Sequence, residues 1–469
     1  MSGLNVPGLR HDEQNTLDKL MAVWLEKQER NLLRTTYFDT QNLLKDLKIS
    51  LPPQLAKAEA MLGWPAKAVY SLGSRCSFDG FVVPGEDQDP FDLSGVLADN
   101  DMDIELPQAI TSALVHAVSF LTVTKGDTEA GEPEVLVLAR SAQHGAGLWD
   151  RRRRQLSAAL AIVAVDDSGD PTELVIYLPE SVVTCTKSAK GWAVSRQANP
   201  TKRVLVSPLV FRPELDRPFG HSRISRSVMG LTDAAIRTVV RSEVGAEFFS
   251  TPQRYLLGAD EDAFAKGNNR WDALVGRFLA IGKDEDADVP TVGQFPQMSM
   301  TPHGDQLRMF AGMFSGETGV PLSSLGIVHD NPASAEAIYA EKEDIVIEAN
   351  AANRVFGSGV RNAAVSAVML RDGLDSVPDE LKKLQSKWRN PATPSVVSAS
   401  DALVKQVAAI PWLAESDVAL EALGYDQTTI TRLLSDKRRV QGRQMVEALN
   451  ARAAARSSVT VDGVDAVQP

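Results

Sequence analysis

A succession of short β-branched runs fills the stretch from Gly80 to Pro213: "GFVV", "FLTVTKG", "EVLVLARS", "SAALAIVAV", "ELVIYLP" and "RVLVSPLVFRP". Each is bounded by Gly, Asp or Pro, so each reads as a short strand. "DDSGDP" carries the residues of a tight turn, and "VTCTKSAKGWAVSRQ" reads as a further hairpin. Helical periodicity flanks this block on both sides. Leu17, Leu20, Met21, Trp24 and Leu25 recur at helical spacing in a stretch predicted helical from His11 to about Lys48, with a break near "TTYFDT" and an end at Pro52-Pro53. Strands in one block with helices before and after predict an α+β fold.

The helices after the block have clear signals. Val228, Leu231, Ile236, Val239, Val240 and Val244 predict a helix over Ser225–Phe249. Residues 261–300 are turn-rich, with strands expected in "GRFLAIGKDEDADVP" and "TVGQFPQMSMTP". Thr301 and Pro302 read as a cap and first helical residue, ahead of the stripe Leu307, Phe310, Ala311, Phe314. "SSLGIVHD" then forms an apolar loop with a polar edge. Asn331-Pro332 starts a long acidic helix expected to kink or break at Gly357 and Gly359 and to resume to about Leu370. Ala399 to Arg456 reads as helix throughout, and the tail after it as disordered.

The chain has 469 residues, 43% of them hydrophobic, enough for two or three structural units. No apolar run approaches the length of a membrane span, and the first residues lack a secretory pattern. Two isolated cysteines, Cys76 and Cys185, are too few for a disulfide framework, which points to synthesis in a reducing cytosol. The formal net charge of −12 is the reverse of what a phosphate-gripping protein shows.

Catalytic signatures are absent: no phosphate loop, no dinucleotide fingerprint, no HExxH and no paired CxxC. His329-Asp330 could be a catalytic pair, but a polar loop edge explains it as well. Asn100, Asp101 and Asp103 invite a metal reading, yet no glycine or closing glutamate sits where a calcium loop needs one. Arg151–Arg154 precede a strand and read either as a nucleic-acid patch or as a solvated or subunit-pairing edge. "SDKRRVQGR" near Asp436–Arg443 reads as an exposed helix face. No cofactor is implied.

The order of the pieces resembles the portal proteins of tailed bacteriophages, in the SPP1-type branch common among actinobacterial phages. "PFGHSRISRSVMGLTDAAIRTVVRSEVGAEFFSTPQRYLLGAD" and "GVPLSSLGIVHDNPASAEAIYAEKEDIVIEANAANRVFG" carry the resemblance most strongly. "YFDTQNLLKDLKISLPPQL", "LGWPAKAVYSLGSRCSFDGF" and "KWRNPATPSVVSASDALVKQ" support it. The likeness implies a portal fold: an α/β wing over 1–222, a stem helix over 223–249, an α/β clip over 250–300 and a second stem helix over 301–316. A wing continuation then covers 317–397, an all-α crown 398–456 and a tail 457–469.

It further implies a structural protein, not an enzyme, that forms a dodecameric ring at one capsid vertex of the virion, at the head–tail junction. The ring would be the channel for double-stranded DNA in packaging and ejection. Large terminase, the head–tail adaptor, the major capsid protein and scaffold are its expected partners, with no membrane. Ser323, Ser324, Leu325, Gly326, Ile327, Val328, His329, Asp330 and Asn331 match the position of the channel loop. Leu307, Phe310, Phe314, Ile236 and Val240 are expected at stem subunit contacts. The competing readings are a soluble enzyme with a lid at 323–331 and a ring-forming scaffold without DNA.

Overall fold

The computed structural model describes residues 4–41, 60–85, 89–249, 254–257, 291–294, 299–327, 340–392 and 396–459. Expectations for 42–59, 258–290 and 328–339 lie outside these. The chain divides into two compact units, Met1–Pro391 and Ala392–Pro469.

In the first unit, helices α1 (His11–Phe38), α2 (Trp64–Gly73), α3 (Leu93–Asp99) and α4 (Met102–His116) surround the strand block. The strands are β1 (Phe78–Val82), β2 (Val118–Lys125), β3 (Val135–Ser141), β4 (Gly145–Asp150), β5 (Gln155–Val165), β6 (Pro171–Tyr177), β7 (Ser181–Ser188), β8 (Gly191–Ala198) and β9 (Val206–Val210). Helix α5 (Arg226–Phe249), β10 (Arg254–Leu257), β11 (Thr291–Gln294), α6 (Thr301–Thr318), α7 (Glu343–Arg371), α8 (Asp379–Lys382) and β12 (Gln385–Trp388) follow. The fold is α+β, as the strand block predicts.

Every strand pairing in the described residues is antiparallel. The meander β4-β5-β6-β7-β8 forms one sheet and β3-β2-β9 another, with β1-β12 and β10-β11 as two-stranded ribbons. The run "SAALAIVAV" is apolar without alternation because β5 is covered on both faces. Ala158, Leu160 and Ile162 pack with Leu17, Leu20 and Trp24 of α1, while Ala159 and Ala161 join the principal core of α4, β2, β9 and α7.

Helix α1 clamps the turn between β3 and β4 with side chains on one face. Trp24 Nε1 and Gln28 Nε2 donate to the Gln143 carbonyl, each at 2.7 Å, and Asn31 Nδ2 donates to the Ala142 carbonyl at 3.1 Å. Arg34 donates to the His116 carbonyl at 3.3 Å, and Thr35 Oγ1 meets His116 Nε2 at 3.0 Å. At the opposite end of α1, Arg196 of β8 makes a two-point ion pair with the buried Glu13 and holds its carboxyl below the usual range.

Two strand-block features escape the sequence reading. "MDIELPQAITSALVH" folds as α4, and "GAGLWD" as β4. The predicted break at Gly357 and Gly359 is corrected: α7 runs through both. A Cβ on Gly359 would lie 2.6 Å from the Pro208 carbonyl oxygen, and one on Gly357 would lie 2.3 Å from Ser386 Oγ. These glycines let α7 lie close on β9 and β12 rather than bending it. Thr301 is also not the cap of α6. Met300 holds that position, and Ser299 Oγ accepts the Thr301 amide at 3.3 Å.

The second unit holds α9 (Val396–Ala409), α10 (Asp417–Ala422) and α11 (Gln427–Val459), as the helical reading of Ala399–Arg456 expects. The helix takes in the first residues of the predicted tail, Ser457–Val459. Most of α11 is exposed, including Met445, Val446 and Leu449, and Arg439 pairs with Asp436 at 3.1 Å on its surface.

Burial, then Arg34's charge, lower His116 from its ordinary pKa of 6.5 to about 4, so the fold keeps the ring neutral. The unfolded chain protonates it first. His116 therefore contributes stability that is complete above pH 6.5 and is lost as pH falls from 6.5 to about 4, roughly 3 kcal/mol in all. Urea titrations across that range should show a shallower pH dependence for His116→Gln; an identical slope would refute the assignment.

Candidate functional site: a helical hairpin and loop anchored on a buried ion pair

Helices α5 and α6 pack against each other, and the amphipathic pattern of each supplies the seam. Ile236, Val240, Ala311 and Phe314 are buried in it, with Leu307 and Phe310 half-buried against the principal core. Phe314 continues into the principal core, its ring 5.2 Å from that of Trp64. Thr238 Oγ1 donates to Gln306 Oε1 at 3.2 Å across the pair. Of the five residues expected at subunit contacts, Phe314, Ile236 and Val240 are buried within the chain itself, while Leu307 and Phe310 stay half-buried. The face left outward on α6 carries Gly304, Met309, Gly312, Met313 and Gly316, together with the Asp305–Arg308 ion pair. A Cβ on any of these three glycines would meet nothing within 4 Å.

A buried arginine is the main tie between the hairpin and the rest of the unit. Arg223, just before α5, is 6% exposed. Its Nε donates to the Ala68 carbonyl of α2 at 2.7 Å and its Nη2 to the Thr318 carbonyl at the end of α6 at 2.6 Å. Its Nη1 pairs with Glu348 of α7, whose other oxygen lies 2.8 Å from Arg212 Nη2. One guanidinium therefore ties α2, α5, α6 and α7 together through all its faces. Burial lowers the pKa of Arg223, while the carboxylate opposes that fall. A second tie is Tyr37 of α1, whose hydroxyl donates to Asp233 of α5 at 2.8 Å.

The predicted channel loop begins directly after this anchor. Gly319 ends α6 in the left-handed conformation, φ 64°, beside Asp344 and Ile345 of α7. Val320 is buried, and the Leu322 amide donates to Glu341 at 2.9 Å. Ser323, Ser324 and Leu325 lie in a short 3-10 turn that Gly326 closes at φ 85°. Ser323, Ser324 and Gly326 are exposed, whereas Leu325 and Ile327 are half-buried against the core. Val328, His329, Asp330 and Asn331 lie outside the described residues.

The other candidates resolve into structural roles or surface. Asn100 is buried, and its side chain bonds the Val135 carbonyl and the Val137 amide, covering the outer edge of β3. No group of metal-ligating side chains occurs among the described residues. Arg151–Arg154 form the turn between β4 and β5, held by Asp150 accepting from the Arg152 and Arg153 amides at 2.8 and 3.0 Å. Cys76 and Cys185 are buried free thiols, pushed up by burial to about 12 and about 11. No described helix is long and apolar enough to cross a membrane. Sequence reading missed Arg223 and Glu348, because a pair 125 residues apart leaves no local signal.

Removing Arg223 leaves Glu348 with one exposed partner and two buried carbonyls unpaired. Arg223→Met should cost about 3–5 kcal/mol in urea unfolding, and Arg223→Met with Glu348→Leu should cost less than the single change. A double variant as unstable as the sum of its parts would contradict this.

The family of phage portal proteins described as SPP1 Gp6-like matches residues 18–411. The portal protein of Mycobacterium phage L5 is 26% identical over 413 residues, covering 85% of this chain and 84% of that protein. That of Mycobacterium phage D29 is 27% identical over 410 residues, covering 85% and 82%. Among solved structures, a chain of the virion of a native gene transfer agent particle is similar over 74% of this chain and 86% of its own length. Its TM-score is 0.42 and its identity 14%. A chain of the neck of that particle, computed with C12 symmetry, gives a TM-score of 0.41 at 12% identity, over 74% and 85% of the two chains. The family match spans most of the sequence, the hairpin and its anchor included: the chain belongs to the SPP1 Gp6-like family of phage portal proteins.

Proposed function

We propose that copies of this chain close into a dodecameric ring at one capsid vertex, conducting double-stranded DNA during packaging and ejection. Family membership over 18–411 is the observation that carries the reading. The chain is synthesised in the host cytoplasm and built into the virion at the head–tail junction. Terminase, head–tail adaptor, capsid protein and scaffold dock on it, and its role is structural rather than catalytic. Residues 1–222 and 317–397 act as wing, 223–249 and 301–316 as stem, 250–300 as clip and 398–456 as crown. The division of the chain after Pro391 supports a separate crown.

The outward face of α6 supports subunit contact in the stem. Each helix-interior glycine costs about 1 kcal/mol relative to alanine, and Gly304, Gly312 and Gly316 return nothing for it inside the chain. With Met309 and Met313, about half exposed, they form a surface on which a neighbouring helix can approach closely. The loop from Ser323 to Asn331 follows the stem into the bore. In an acidic chain its serine and aliphatic side chains touch a moving polyanion without an electrostatic trap.

Size exclusion with light scattering should give a dodecamer of 50.7 kDa protomers. Gly312→Leu should leave the thermal stability of the protomer unchanged or slightly higher and reduce the assembled mass. A monomeric wild type would contradict the ring, and a fully assembled Gly312→Leu would contradict the stem contact.

A further inference from the structure

The sheet β3-β2-β9 has two edges of opposite charge. At the β9 edge, a cleft of 1360 Å³ opens between the β4–β5 turn, the loop around Leu215 and α7. Arg151, Arg153, Arg154, Arg203 and Arg361 line it. Arg203 is half-buried, and burial first, then the charge of Arg361, hold its pKa down. Neither Arg203 nor Arg361 has an acidic partner among the described residues. Two neighbouring guanidinium groups, one partly desolvated, are costly without an anion between them. The chain as a whole is acidic, so this cleft is a local reversal of sign.

The opposite edge, β3, is acidic. Asn100 and Glu105 bond its backbone, which sets the α3–α4 corner against it. Asp99, Asp101 and Asp103 of that corner are exposed, as is Glu129 in the β2–β3 connection. None of these four carboxylates is in an ion pair among the described residues.

We infer that the arginine cleft of one subunit receives the acidic β3 edge of the next. The inference rests on the ring reading and names the contact that joins wing to wing. Three observations choose a second copy over DNA as occupant. Glu214 and Asp216 also line the cleft and would repel phosphates, whereas mixed charge suits a protein surface. Leu215, 97% exposed, stands at its rim beside proline residues as an apolar anchor. Pro208 on β9 has no amide to donate, so the edge binds through side chains rather than by adding a strand. Opposite charges on opposite edges make a heterologous contact, the kind that generates a ring.

The test is charge exchange in the full chain, read by light scattering and by salt dependence, with circular dichroism to show that each variant is folded. Arg203→Glu with Arg361→Glu should dissociate the ring at a salt concentration at which the wild type is intact. Asp99→Arg with Asp103→Arg should do the same, and the four changes together should restore assembly. The inference is overturned if the cleft variant keeps the wild-type mass and salt profile, or if the fourfold variant stays dissociated. It is also overturned if the cleft variant assembles normally but loses affinity for a duplex DNA probe, which would assign the cleft to nucleic acid. A wild type that never assembles would instead strike the ring reading itself.

Discussion

The Arg223–Glu348 contact is the constraint on which the rest of the first unit depends. Arg223 is buried where α5 begins, α6 ends and α7 passes, and it satisfies two carbonyls as well as the carboxylate. A buried ion pair is a weak source of net stability but a strong selector of geometry, since any displacement strands a charge in an apolar surrounding. The hairpin of α5 and α6 is thereby held at a set place against α2 and α7. So is the turn at Ser323–Gly326, which starts a few residues beyond Thr318.

That arrangement separates two tasks. Inside the unit, Ala311 and Phe314 of α6 join the principal core, with Phe314 against Trp64, and Ile236 and Val240 of α5 are buried. Outside it, the hairpin exposes Met309, Met313 and three glycines of α6 beside the Asp305–Arg308 ion pair. The proposed assembly would then rest on surfaces complementary between copies rather than on completing one core.

The strand block and the main helices were legible in the sequence because their signals are local. Turn residues bound the runs from β2 to β9, and the spacing of Val228, Ile236 and Val240 marks α5 directly. The unbroken run in β5 had a readable meaning as well, a strand covered on two faces. Gly357 and Gly359 misled because helix propensity treats glycine as a weak point, whereas tertiary packing uses it to bring α7 onto β9 and β12. The apolar stripe was set against another subunit, whereas Phe314, Ile236 and Val240 are buried within the chain and Leu307 and Phe310 stay half-buried. Periodicity tells that a face is buried and is silent on what buries it. Arg223, Arg212 and Glu348 stayed invisible for a related reason: their meeting is made by the fold, not by spacing. The family resemblance, by contrast, was carried by the ordered blocks around α5 and α7, and the family match covers both.

In the proposed assembly the anchored hairpin lines a bore through a closed ring. Single-particle electron microscopy of the purified protein should show a ring with an open axial channel, with α5 and α6 of every subunit around it and Met309 and Met313 at the subunit boundary. A particle without a through-channel, or a ring with the hairpins on its outer rim, would contradict it.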